Sequence, residues 1–202
     1  TGFISEIDVK DLGAKDVVEI YYIEPNLYVL TESSVLCIKQ NLRNRKLNTA
    51  VTAEVQLKDV HGSKDSGFPQ AVSASKLFVY ISCGHYLTIL KACTLKLVCS
   101  VKTEMFLNSN LTSISIMKFL PLTFKKRELL AVLSYNNELY LLAPVSTSSG
   151  VTVHRFASFE GKSLGSHNRW FDCRYNFNTN QILIAGEMNI LHTVDIKFKD
   201  ES

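Results

Sequence analysis

The sequence predicts an all-β fold made of four repeated antiparallel sheets. Three observations predict it. A segment of apolar run, polar break and apolar run recurs four times at nearly equal intervals. Each run is too short for a helix of ordinary length. The breaks are rich in residues that tolerate tight turns.

The four segments are "NLYVLTESSVLCIKQ" from Asn26, "KLFVYISCGHYLTILKA" from Lys76, "ELLAVLSYNNELYLLAP" from Glu128 and "QILIAGEMNILHTVDIK" from Gln181. Leu27 to Leu77 is 50 residues, Leu77 to Leu129 is 52, and Leu129 to Ile182 is 53. Val, Ile, Leu, Tyr and Phe dominate both runs. The breaks "TESS", "CGHY", "YNNE" and "GEMN" supply Gly, Asn and Ser, so each segment reads as a β-hairpin.

A further strand is expected ahead of each hairpin, at 17–24, 70–75, 111–122 and 170–178. One more is expected behind the first three, at 50–57, 96–103 and 151–159. Little sequence follows the fourth hairpin. The opening "SEIDVKDLGAKD" (5–16) resembles "AEVQLKDVHGSKD" (53–65): Glu6 matches Glu54, and Lys10-Asp11 matches Lys58-Asp59. It therefore reads as the outer strand of a preceding or closing unit. The units span roughly 17–57, 70–103, 111–159 and 170–202, and 1–202 is read as a single domain.

Four strands per unit of about fifty residues, with the frame offset by one strand, resembles the organisation of the WD-repeat and kelch-like β-propeller families. The resemblance covers nearly the whole chain and rests on no specific motif. The hairpins end in "CIKQ", "ILKA", "LLAP" and "VDIK" rather than Trp-Asp, and the Gly-His step has only a reversed echo at His61-Gly62. It implies a propeller-like repeat of four-stranded antiparallel blades. Runs such as "LFVYI" and "LTIL" place apolar side chains on both faces, and such a sheet must be covered on both sides. A ring of blades does this. The expected whole is a larger ring completed by further blades from the same chain. A closed ring of four, a ring completed by another polypeptide and a non-propeller sandwich are the other arrangements considered. The first residue, Thr1 rather than Met, fits a piece of something longer.

Composition bounds the function. The 202 residues are 46% hydrophobic and 20% charged, with a net charge of +3, which is ordinary for a globular chain and demands no polyanionic partner. No stretch approaches the ~18 consecutive apolar residues of a membrane helix, and no membrane partner is expected. Five cysteines without C-x-x-C spacing read as buried thiols, with Cys37, Cys83, Cys93 and Cys99 in or beside apolar runs. They suit a reducing compartment, so the cytoplasm or nucleus is expected. One sequon, "NLT" at Asn110, carries little weight.

Catalytic patterns are missing. His61, His85, His154, His167 and His192 show no metal-ligand spacing, and His154 and His192 read as structural histidines in strands. There is no G-x-S-x-G elbow, no phosphate loop and no dinucleotide fingerprint. No catalytic residue, metal or cofactor is assigned.

Surface loops are expected at 39–49, 58–70, 144–150 and 159–169. Two basic clusters fall in expected loops: Arg43, Arg45 and Lys46, and Lys125, Lys126 and Arg127. They read as solvated loops or as docking patches for an acidic partner. Phe68 before Pro69, and Trp170, the only tryptophan, are candidate aromatic anchors. For Trp170 the competing reading is core packing. The expected function is a non-catalytic scaffold for protein–protein interaction within a multi-subunit complex. The alternative is a subunit that positions RNA or DNA through its basic loops. A hydrolase using the mouth of the ring is the third reading.

Overall fold

The computed structural model describes residues 16–41, 46–61, 67–106, 116–124, 126–148, 150–161 and 168–197. Among these described residues are fifteen strands in four antiparallel sheets, three of four strands and one of three, each in sequential order. Three of the expected quartets are there, and the fourth unit has three described strands. The first sheet is β1 (Val17–Ile23), β2 (Asn26–Thr31), β3 (Ser34–Asn41) and β4 (Lys46–Gln56). The second is β5 (Pro69–Ala74), β6 (Phe78–Cys83), β7 (Tyr86–Lys91) and β8 (Leu97–Lys102). The third is β9 (Ile116–Phe124), β10 (Arg127–Ser134), β11 (Glu138–Thr147) and β12 (Gly150–Glu160). The fourth is β13 (Trp170–Asn176), β14 (Gln181–Gly186) and β15 (Leu191–Asp195).

The hairpins form where the breaks fall. Cys83 pairs with Tyr86 across a two-residue loop in which Gly84 takes φ +55°, a value that costs glycine nothing. In the third hairpin Asn137 takes φ +60°, which asparagine tolerates better than most residues. The fourth break is not a tight turn: Glu187–Asn189 form a 3-10 turn with Met188 and Asn189 at positive φ.

Several expected loops are shorter than the sequence suggested. Within 39–49, β3 runs to Asn41 and β4 starts at Lys46, and these two residues pair. Lys46 therefore belongs to a strand. Within 58–70, a short helix, α1 (Leu57–His61), precedes the loop, with Leu57 buried as its anchor. In 144–150, β11 continues to Thr147 and β12 begins at Gly150. Polar composition suggested loops there, but ladder pairing to an apolar partner strand overrides local propensity. Of the strand-like segment 5–16 only Asp16 is described, and the sequon at Asn110 lies outside the described residues.

The chain divides into two compact units, Thr1–Ser113 with Val145–Thr152 and Ile114–Pro144 with Val153–Ser202. In the first unit, one core joins the first two sheets: Tyr28, Leu30, Val35 and Cys37 pack with Val72, Val79, Ile81 and Leu90. Period-2 alternation sends Val29, Leu36 and Ile38 to the opposite face of the first sheet, where they form a second cluster with Leu27 and Val51. Both faces of this sheet are apolar, as the sequence implied. Each fully buried aliphatic contributes roughly 1.5–3 kcal/mol. A carboxylate also ties the two sheets: Glu19 on β1 accepts the backbone N–H of Val72 on β5 at 2.6 Å.

In the second unit, β10 is buried continuously from Leu129 to Ser134, and β11 from Glu138 to Ala143. Trp170, Cys173, Ile182, Ile184 and Val194 form the buried face of the fourth sheet. Lys118 on β9 and Asp172 on β13 pair as an ion bridge between the two sheets.

Candidate interaction surface

Of the residues marked by the sequence, Arg43, Arg45 and Lys125 lie outside the described residues. Lys126 is exposed in the turn between β9 and β10, at φ +65°, and Arg127 opens β10, exposed and paired with Phe124. Arg127 is thus a strand residue, not a loop residue. Phe68 is exposed, at 69% of its surface, just ahead of β5.

Trp170 is not a surface anchor. It is 0% exposed, and the anchor reading gives way to the core reading. Its surroundings explain why. Its backbone N–H donates to Asn137 Oδ1 at 2.9 Å, while Asn137 Nδ2 donates to the carbonyl of Asn168 at 3.0 Å. A side chain at Gly161 would meet the Trp170 ring at 3.3 Å, and one at Gly186 would meet it at the same distance. The His192 ring lies 5.9 Å away, tilted by 59°. Trp170 Nε1 and His192 Nε2 are both buried with no hydrogen-bond partner among the described residues.

The exposed aromatic of the Trp-Phe pair is Phe171, at 53%. Strand alternation carries the signal: when Trp170 points inward, its neighbour points out. Phe177 at 76%, Met188 at 82% and Leu191 at 63% are exposed in the same sheet or its connecting turns. Sequence reasoning missed these because they sit in polar turns or at strand ends, where exposure is decided by what packs above.

Beside this sheet lies a groove of about 170 Å³ whose walls include Leu141, Phe156, Phe159, Ile182, Val194 and Ile196. The wall is mostly apolar. Asp195 and Lys197 stand at its side, 3.6 Å apart.

The thiols differ in burial: Cys37, Cys83 and Cys173 are buried as expected, while Cys99 is only half-buried and Cys93 is exposed. Burial pushes the Cys83 thiol up to about 11 and the Cys173 thiol up to about 12, and raises Cys37 as well. Burial likewise raises the Tyr28 hydroxyl to about 12. Cys93 departs from the expected buried state and is exposed. It sits in the turn after β7 at φ +64°, where the backbone leaves the sheet, and its N–H donates to the Tyr28 hydroxyl at 3.2 Å. Among the described residues, no three His, Cys, Asp or Glu side chains are grouped so as to hold a metal ion. No described helix is long and apolar enough to cross a membrane.

Comparisons with known proteins bear on the fold. No protein-family model matches the sequence, and no curated protein matches it. Solved structures do. The WD40 domain of SCAP from fission yeast superimposes with a TM-score of 0.52 at 12% identity, over 89% of this chain and 44% of that one. The β-propeller domain of Cps50 (Swd1) from Myceliophteria thermophila superimposes with a TM-score of 0.51 at 14% identity, over 86% and 56%. The fold is that of β-propeller blades. A third match is the dihydro-heme d1 dehydrogenase NirN in complex with DHE, with a TM-score of 0.54 at 15% identity, over 89% of this chain and 34% of that one. The chain spans about half or less of the length of these structures, and at such identity they speak to its blades alone.

Proposed function

We propose that these blades form a non-catalytic scaffold that binds other protein subunits of a multi-subunit assembly inside the cell. One observation carries the reading. The blades expose large aromatic and apolar side chains, Phe68, Phe171, Phe177 and Met188, on or beside rigid strands. Aromatic side chains and Met are enriched in the cores of protein interfaces, and a strand scaffold holds them at little entropic cost on binding. One structural neighbour is itself a protein complex, that of the SREBP and SCAP binding domains of fission yeast, with a TM-score of 0.54 at 8% identity, over 100% of this chain and 56% of that one. The free thiols suit a reducing compartment.

Affinity purification of the full-length protein at low and high salt tests the proposal. Partner proteins retained at high salt and lost in a Phe171→Ala, Phe177→Ala double variant support it. Capture of nucleic acid rather than protein, which collapses with salt and falls when Lys126 and Arg127 are reversed in charge, overturns it.

A further inference from the structure

A polar cluster interrupts the core that joins the first two sheets. Asn26 opens β2 and is 8% exposed, and its carboxamide touches a sulfur at each end. Nδ2 donates to Cys93 Sγ at 3.4 Å, and Oδ1 accepts the Cys37 thiol at 3.9 Å. The Tyr28 hydroxyl also reaches both cysteines. It accepts the Cys93 N–H at 3.2 Å and hydrogen-bonds the Cys37 thiol. The ladder explains the grouping. Tyr28 pairs with Cys37 across β2 and β3, and Asn26 lies two residues before Tyr28, so all three side chains share one face. Two thiols from different sheets thus meet on one amide.

The two thiols are not equivalent. Cys93 is exposed to solutes, whereas Cys37 is 0% exposed. Burial raises the Cys37 thiol, against hydrogen bonds to Thr52 and Tyr28, so it keeps its proton. Cys93 is also held in place. The Leu95 N–H closes its turn on the Lys91 carbonyl at 2.9 Å, and the Ala92 N–H donates to the Leu77 carbonyl at 2.9 Å. Leu95, 2% exposed, anchors the turn in the core. An accessible thiol beside a second thiol that can resolve it is the arrangement of redox-sensing cysteines.

We propose that Cys93 and Cys37 are a peroxide-responsive pair, whose oxidation forms a disulfide between the turn after β7 and strand β3. The Cys93 thiolate attacks one oxygen of hydrogen peroxide. The O–O bond breaks, and the departing hydroxide takes up the proton that Cys93 gave to solvent. Cys93 is then a sulfenic acid. Cys37 attacks the Cys93 sulfur, the S–O bond breaks, and the Cys37 proton passes to the departing hydroxide. Two thiols are oxidised to one disulfide, and one peroxide is reduced to two waters. The Asn26 carboxamide swings aside as the sulfurs close. The bond fastens the second sheet to the first, and it is independent of the scaffold reading.

The probe is hydrogen peroxide added to the reduced full-length protein. The expected product carries a Cys37–Cys93 disulfide within one chain, found by peptide mapping after alkylation of the remaining thiols and reversed by dithiothreitol. A cross-link between residues far apart in sequence constrains the unfolded chain, so Tm rises by about 5–10 °C on oxidation and returns on reduction. Dimedone present during oxidation labels Cys93 as its sulfenic acid and prevents the disulfide. Cys93→Ser changes an exposed turn residue and leaves the core side chains in place. In that variant the loss of the Cys37 thiol to peroxide slows about tenfold or more, because burial shields it, and Tm does not rise. Equal loss of the Cys37 thiol in Cys93→Ser overturns the proposal. So does a disulfide that joins Cys93 to another cysteine or to a second copy of the chain, or a Cys93 that ends as sulfinic acid with Cys37 still reduced.

Discussion

Asn137 Oδ1 accepts the backbone N–H of Trp170 at 2.9 Å, and this bond links the third hairpin turn to the first strand of the next blade. The same residue does two other things: its Nδ2 donates to Asn168 O at 3.0 Å, and its own carbonyl accepts the N–H of Gly161 at 2.8 Å. It also occupies φ +60°. Asn137→Ala removes both side-chain bonds and places a Cβ residue with no local hydrogen bonding in the left-handed region. Each bond is worth about 1 kcal/mol and the conformation about 1 kcal/mol more, so the expected loss is roughly 3 kcal/mol. Asn137→Gly relieves the conformation and loses only the bonds. Urea denaturation of the two variants checks this, and equal losses would show that the backbone conformation carries no part of the cost.

Glu19 plays the matching role in the first unit, where its carboxylate accepts the Val72 N–H at 2.6 Å between β1 and β5. Hydrogen bonds to a charged group contribute about 1.5–3 kcal/mol, more than neutral ones. Glu19→Ala is expected to lower stability by about 2 kcal/mol, and Glu19→Gln by less, because the amide oxygen still accepts. Chemical denaturation of both variants checks the order. A Gln variant as unstable as Ala would mean that the charge, not the acceptor, holds the sheets.

The repeat was the most legible feature of the chain. Burial on both faces forces apolar residues into every strand position, as in Leu129–Leu133, so strands announce themselves whatever their neighbours. Strand ends were less legible. Lys46 and Arg127 look like loop residues by charge, yet each pairs across a hairpin, and at the exposed ladder end Arg127 shows that such a position accepts any side chain that reaches water.

The candidate surface was harder to read. Trp170 and Phe171 are adjacent and equally apolar, and nothing in composition says which one faces the core. The distinction depends on Asn137, which lies 33 residues earlier and fixes the Trp170 backbone. The groove beside the fourth sheet brings Phe156 and Phe159 together with Val194 and Ile196, which no local pattern connects.

Stability is expected to fall in alkaline solution. The buried Cys83 and Cys173 thiols keep their protons to about 11 and about 12, against an ordinary value of 9.0. The unfolded chain releases those protons first, so above pH ~9 it binds fewer protons than the folded chain, and the free energy of unfolding drops as pH rises. The contribution is complete below the unfolded value and disappears as pH climbs through the folded values. Cys173→Ala removes one titrating group, and its stability is expected to decline less steeply between pH 9 and 11. Urea midpoints across that range check the slope, which is independent of any constant cost of the substitution itself. An unchanged slope would mean that Cys173 is not held protonated.

Gly67 gives the sharpest steric test. Its φ is +61°, and a Cβ there would stand 2.5 Å from the Gly84 Cα. The obstacle is backbone, so it does not yield by a rotamer change. Close by, the Phe68 carbonyl accepts the Gly84 N–H at 3.0 Å, which locks the entry of β5 against the β6–β7 turn. Gly150 makes the comparison: it also has positive φ, +133°, but a Cβ there meets nothing within 4 Å. Gly150→Ala therefore carries backbone strain alone, whereas Gly67→Ala carries strain and a clash that must displace the turn. The expected loss for Gly67→Ala is about 3 kcal/mol or more, a drop of roughly 10 °C in Tm for a chain of this size. Thermal unfolding of the two variants side by side checks it, and a Gly67→Ala protein no less stable than Gly150→Ala would show that the two turns do not approach as closely as described.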